Sequence, residues 1–120
     1  MSIIPMIREQ IYTKLTVEGT HNWPDCKIRE VEYLKYPHRH NFGIVAVMDV
    51  SHANRDVEFI ELQHKIRTYL AIQYFDDTTQ LHVFGARSCE MLARELITTF
   101  GLCKCEVNED NENGAILTVV

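Results

Sequence analysis

Three histidines and one glutamate are the residues whose types and spacing could do chemistry. His38 and His40 open the run Pro37-His38-Arg39-His40-Asn41-Phe42, which leads into the apolar stretch Gly43-Ile44-Val45-Ala46-Val47-Met48. In an extended strand, side chains two apart point the same way, so these imidazoles project from one face about 7 Å apart, within reach of a shared metal ion. Strand direction supplies a third ligand. Residues 11–18 alternate apolar and polar, and continuing that alternation past Gly19 puts His21 on the apolar side at the strand's C-terminal end. If this strand pairs antiparallel with one beginning at His38, its end lies beside the other's start, and His21 meets His38 and His40. Three neutral imidazoles with an open fourth position are what a catalytic or ligand-binding Zn²⁺ uses. A His-x-His pair alone is more often a solvated or core pair, so the metal reading depends on His21.

Glu109 is the second feature. Residues 103–109 alternate again, with Cys103, Cys105 and Val107 on the apolar face and Glu109 continuing it. A carboxylate there must be wetted, paired or matched to a ligand, because burying it alone is costly. Its two coplanar oxygens suit the adjacent N–H and NH₂ donors of a guanine-like or pterin ring. The plainer alternative is a solvated glutamate in an acidic turn.

The elements that must position these groups follow from pattern. The strand of residues 11–18 is followed by a charged loop at residues 22–36, and the second strand spans residues 38–50. Residues 51–56 are turn-formers. Phe59, Leu62, Ile66, Tyr69 and Leu70 then recur at helical spacing, with Asp56 as a candidate cap, and His64 falls on the polar side. Residues 73–86 carry no clear period. Ser88 reads as the N-cap of a second helix with an apolar stripe from Leu92 to Phe100, stopped by Gly101. Residues 110–114 form a turn into a last strand at residues 115–120. The expectation is an α+β fold: four antiparallel strands with two helices on one face, residues 1–120 forming one domain.

Composition excludes several classes. The chain has 120 residues and a net charge of −5, which argues against non-specific nucleic-acid binding. No run is long and apolar enough to span a bilayer, and no signal-peptide pattern opens the chain, so a cytoplasmic location is expected. The four cysteines include no Cys-x-x-Cys pair and read as small buried hydrophobes in a reducing compartment. At this size, oligomerisation would usefully add buried surface.

The order of these elements and motifs resembles the tunnelling fold, and more narrowly the 6-pyruvoyltetrahydropterin and 6-carboxytetrahydropterin synthase family. The resemblance runs from about Tyr12 to Val120. Val17-Glu18-Gly19-Thr20-His21 is similar to the strand ending in the family's first zinc histidine, and Pro37-His38-Arg39-His40-Asn41-Phe42 resembles its His-Gly-His-Asn-Tyr motif, with Arg39 for the glycine. Glu58-Phe59-Ile60-Glu61-Leu62 and Ser88-Cys89-Glu90-Met91-Leu92-Ala93 resemble the starts of its two helices. Val107-Asn108-Glu109 with Gly114 resembles the strand and turn carrying its pterin-anchoring glutamate. The resemblance implies Zn²⁺ on His21, His38 and His40, a pterin or purine-like ring on Glu109, and a trimer-based homo-oligomer, hexamer or tetramer, whose sheets join into a barrel. It does not carry over the chemistry. The family's catalytic cysteine, four residues before His-Gly-His, is Leu34 here, and no Asp-His dipeptide lies between the helices. Cys26, in the same loop, and His82 are the candidate replacements. Two functions follow: binding of a pterin or purine-like ligand without the standard reaction, as in short relatives of the kind bacteriophages carry, or a zinc-dependent lyase acting on 7,8-dihydroneopterin triphosphate or a related substrate.

Overall fold

A computed structural model describes residues 3–120. Two long strands, β1 (Gln10–His21) and β2 (His38–Asp49), form an antiparallel pair at the centre, joined by a loop containing a 3-10 helix over Arg29–Lys35. Helix α1 (Phe59–Tyr74) follows, then the short strands β3 (Phe75–Asp76) and β4 (Leu81–Gly85), helix α2 (Cys89–Phe100), and the hairpin β5 (Lys104–Glu109) and β6 (Asn113–Thr118). The strands lie in the order β3-β4-β1-β2-β5-β6.

Alternation fixes the register. Thr13, Leu15 and Val17 of β1 are buried, as are Phe42, Ile44 and Ala46 of β2. The ladder sets Val17 opposite Phe42, Leu15 opposite Ile44 and Thr13 opposite Ala46, so all six share one face. A one-residue slip would turn them all outward. Cys105 and Val107 of β5 extend that face opposite Ala46 and Ile44. Leu62, Ile66 and Leu70 of α1 and Leu92, Ala93 and Leu96 of α2 close over it in a single core.

The α+β class and the two helices on one face match the sequence reading, but the strand count does not. The sheet has six strands rather than four, and it is mixed, because β4 runs parallel to the end of β1. The two added strands come from residues 73–86. With two and five residues they are too short to show a period, and Phe84 alone anchors β4 in the core at 1% exposure. Within one chain the sheet is open, ending at β3 and β6.

Gly19 allows β4 its place. A Cβ there would lie 2.6 Å from Phe84 Cε2 and 2.7 Å from the His82 carbonyl oxygen. Gly19→Ala is expected to lower stability by about 1–3 kcal/mol through overpacking, read as a lower urea midpoint. A midpoint unchanged from wild type would mean that β4 does not pack this closely.

The helix ends are set by their caps. Ser88 Oγ accepts from Met91 N at 3.1 Å, and Gly101 ends α2 in the left-handed region at φ 67°. The cap of α1 is Glu58, whose carboxylate accepts from Glu61 N at 2.7 Å, and not Asp56. Asp56 instead takes the backbone N–H and hydroxyl of Ser51 and closes the preceding turn. His64 is exposed on the outer side of α1.

Candidate metal centre and adjoining cavity

The β1–β2 register sets His21 directly opposite His38, and His40 follows on the same face of β2. The ring centroids lie 4.7 Å (His21–His38), 4.9 Å (His38–His40) and 5.4 Å (His21–His40) apart. One ring nitrogen from each comes within 4.8 Å of the others. Phe42 packs edge-on against His21 and His40 and makes an apolar floor.

Hydrogen bonds on the far side of each ring settle which nitrogen faces inward. His21 Nδ1 lies 2.9 Å from the Arg87 carbonyl, His38 Nδ1 2.9 Å from the Tyr36 carbonyl, and His40 Nδ1 2.7 Å from Asp110 Oδ2. Carbonyl and carboxylate oxygens only accept, so each Nδ1 is the donor and Nε2 remains for the interior. Metal-binding imidazoles are held in this way, with an outer acceptor fixing the tautomer and strengthening the ligand.

Glu109 reaches the cluster from β5, where it pairs with Phe42. Its Oε1 lies 3.0 Å from His21 Nε2 and its Oε2 3.3 Å from His40 Nε2. The second contact lacks hydrogen-bond alignment, so His40 Nε2 is a buried nitrogen with no partner among the described residues. Burial pulls the His21 pKa down, but the Glu109 carboxylate and the Arg87 carbonyl outweigh it, and the net shift is upward. Glu109 is held below its ordinary value chiefly by the hydrogen bond from His21. Cys89, at the start of α2, lies with its thiol 3.8 Å from Glu109 Oε1, and burial followed by the charges of Glu109 and Glu90 pushes its pKa up to about 12. It therefore stays a thiol and a weak donor.

The donor set and the orphaned His40 nitrogen both fit a metal ion. His21, His38 and His40 would hold it, and Zn²⁺ suits three imidazoles with a further position. Beside the cluster opens a cavity of about 520 Å³, lined by Trp23, Leu34, Arg87 and Cys89 together with His21, His38 and Glu109 of the cluster.

Four residues singled out from the sequence thus come together: His21, His38, His40 and Glu109. The other two do not join them. Cys26 is 1% exposed within the 22–36 loop, its thiol 3.6 Å from the Val31 carbonyl, and it does not line the cavity. His82 sits on β4, where its Nδ1 lies 3.0 Å from the Glu18 carbonyl and its ring stacks on Phe84, also outside the cavity. Leu34, four residues before His38, does line it.

Three contributors were not legible beforehand. Asp110 had read only as turn material, yet its carboxylate holds both His40 Nδ1 and Asn41 N. Arg87 offers its carbonyl to His21 while its guanidinium lies over the Tyr74 ring and 3.7 Å from Glu95. Cys89 reads in the sequence as a small buried hydrophobe within a helix start, and nothing there points to Glu109. Asp110→Asn, which keeps an acceptor but removes the charge, is expected to weaken metal affinity about 10- to 100-fold in a chelator competition assay. An unchanged affinity would mean that Asp110 serves only the turn.

No family model matches the chain, and no curated protein matches it in sequence. The fold does have solved counterparts. One is the crystal structure of an uncharacterized protein from Wolinella succinogenes, with a TM-score of 0.63 and 11% identity over 94% of this chain and 99% of that one. At such low identity the likeness is one of fold.

Proposed function

We propose that this chain is a zinc-containing protein of the 6-carboxytetrahydropterin synthase type that binds a pterin or purine-like ring without carrying out the standard synthase reaction. The observation that carries the reading is the convergence of three imidazoles, each with Nδ1 occupied by an outer acceptor, on a point where His40 Nε2 has no partner. Zinc held there by His21, His38 and His40 would supply a Lewis acid for ligand oxygens. Glu109, which lines the cavity, accepts two parallel hydrogen bonds from the ring's adjacent N–H groups. Trp23 and Leu34 offer the flat ring an apolar wall.

The missing groups favour binding over turnover. Leu34 can neither take nor give a proton, the Cys26 thiol is turned toward backbone carbonyls, and His82 lies outside the cavity. A general acid or base must reach its proton within hydrogen-bond distance. One observation favours the alternative, a zinc-dependent lyase on 7,8-dihydroneopterin triphosphate: the half-exposed Arg87 guanidinium and the N-terminal turn of α2 border the cavity and suit a triphosphate.

A homo-oligomer completes the reading. Among the described residues the outer edge of β6 pairs with no strand, and β4 covers the outer edge of β1 only at residues 19–21, while the Lys14 and Thr16 carbonyls accept from Gln63 and Arg67 of α1. Open edges of this kind invite strand pairing between copies, which would join the sheets into a barrel in a trimer-based assembly, hexamer or tetramer. The cytoplasm, a reducing compartment, suits its four free, buried cysteines.

The test is calorimetric titration of the zinc-loaded protein with neopterin, 7,8-dihydroneopterin triphosphate and guanosine nucleotides, with product analysis of each mixture. Saturable binding that is lost in Glu109→Ala, without product, is the expected result. Product from the triphosphate would replace the binding reading by the lyase, and no binding of any of these compounds would end both.

A further inference from the structure

We infer that metal loading licenses ring binding: His21 holds the Glu109 carboxylate through the same nitrogen it would give to a metal, so Glu109 is released to anchor a ring only once that nitrogen is committed elsewhere. This rests on the function proposed above and adds the regulation of its site.

Competition for one atom carries the argument. Glu109 Oε1 lies 3.0 Å from His21 Nε2, its hydrogen-bond donor. The other ring nitrogen, Nδ1, is committed to the Arg87 carbonyl, so Nε2 is also what His21 has left for a metal. A ring nitrogen that donates a proton to a carboxylate has no lone pair to give. His21 therefore serves Glu109 or a metal, not both. The second carboxylate oxygen is not part of this contest, because Oε2 and His40 Nε2, 3.3 Å apart, make no hydrogen bond.

The two states differ in what Glu109 still needs. In the metal-free protein a ring must break the bond from His21 before its own N–H groups can reach Oε1. With His21 committed to a metal, the donor left beside Oε1 is the Cys89 thiol at 3.8 Å, a weak one. A carboxylate that lines the cavity and is only 28% exposed is then short of hydrogen bonds. The two adjacent N–H donors of a guanine-like or pterin ring supply them. No backbone has to move, since Glu109 and His21 are each held in a strand ladder, opposite Phe42 and His38.

Such coupling is reciprocal. A ring on Glu109 takes the competitor away from His21 Nε2, and metal affinity rises by the same factor as ring affinity does on metal loading.

The experiment is calorimetric titration of the full-length protein, zinc-loaded and chelator-treated at a single pH, with neopterin, or with guanosine monophosphate if neopterin does not bind. Zinc-loaded wild type is expected to bind at least about tenfold more tightly than metal-free wild type, and zinc affinity to rise by the same factor in saturating ring compound. Direct contact between zinc and the ring compound would produce the same coupling, so His21→Ala, which removes the competing donor, separates the two causes. Chelator-treated His21→Ala is expected to bind at least about tenfold more tightly than chelator-treated wild type. Equal binding by these two metal-free proteins, or equal binding by wild type with and without zinc, would overturn the inference while leaving the proposed function standing. Zinc-loaded wild type that binds neither compound nor 7,8-dihydroneopterin triphosphate would end the proposed ring binding and this inference with it. If His21→Ala does not fold by circular dichroism, His21→Phe, which keeps the bulk of the ring, takes its place, and the wild-type comparison can overturn the inference without any variant.

Discussion

Protein purified without added metal or a polyhistidine tag is expected to carry about one zinc per chain, and the double substitution His38→Ala, His40→Ala to carry none. Removing two of three imidazoles leaves His21 and Glu109, which already satisfy each other as an ion pair at 3.0 Å. The loss will register in stability as well as in metal content. A ligand held at about 100 times its dissociation constant adds about 2.7 kcal/mol to the folded state, which for a domain of this size is roughly 10 °C in Tm. Wild type should therefore melt about that much lower after chelation, and the double variant should show no such drop. Equal melting with and without chelator in the wild type would remove the metal from the account.

The metal-free protein should have its own pH signature. The raised His21 pKa gives stability that is present below the ordinary histidine value of 6.5 and lost as pH rises through the folded-state value. The lowered Glu109 pKa gives stability that is present above the ordinary glutamate value of 4.5 and lost as pH falls through the folded-state value. Both contributions are complete only between about 4.5 and 6.5, so chelated protein should melt highest there. Zinc requires deprotonated imidazoles, and the stabilisation by metal should grow as pH rises out of that window. Thermal melts in chelator and in excess zinc across this range would separate the two trends.

The second large effect is expected at Phe42. Phe42→Ala should cost about 3–5 kcal/mol of unfolding free energy in urea titration, a large share of the roughly 5–15 kcal/mol that a domain of this kind has. Phe42 is fully buried and meets Phe84, His21 and His40 edge to face at 4.9, 5.0 and 5.7 Å between centroids. Truncation leaves a cavity under two of the imidazoles and beside the strand that carries Glu109, so metal affinity should fall along with stability. Phe42→Leu keeps most of the volume and should cost less than about 1.5 kcal/mol. A Phe42→Ala loss under about 1 kcal/mol would mean that the floor of the site relaxes, contrary to its packing.

What could be read from the chain alone was whatever one strand or helix encodes by itself. Alternation from Ile11 to His21 and from His38 to Met48 determined which side chains share a face, and strand direction then brought His21 to His38. Helical spacing and the Ser88 and Gly101 signals marked α2 closely. Glu109 was visible as a carboxylate continuing an apolar face. The tertiary structure decided what depends on pairs distant in sequence or on elements too short to have a period. β3 and β4 are held by the end of β1 and by the space at Gly19, neither of which residues 73–86 display. The outer partners of the histidines come from Tyr36, Arg87 and Asp110. Two of these act through backbone carbonyls, which side-chain chemistry cannot reveal. Asp110 meets His40 across 70 residues, because a left-handed turn at φ 55° aims its carboxylate back along β2. The sequence determined the faces and the candidate ligands, since periodicity is local. Which acceptors orient those ligands, and which way Glu109 turns, belongs to the three-dimensional packing, since hydrogen bonds between distant segments leave no periodic trace.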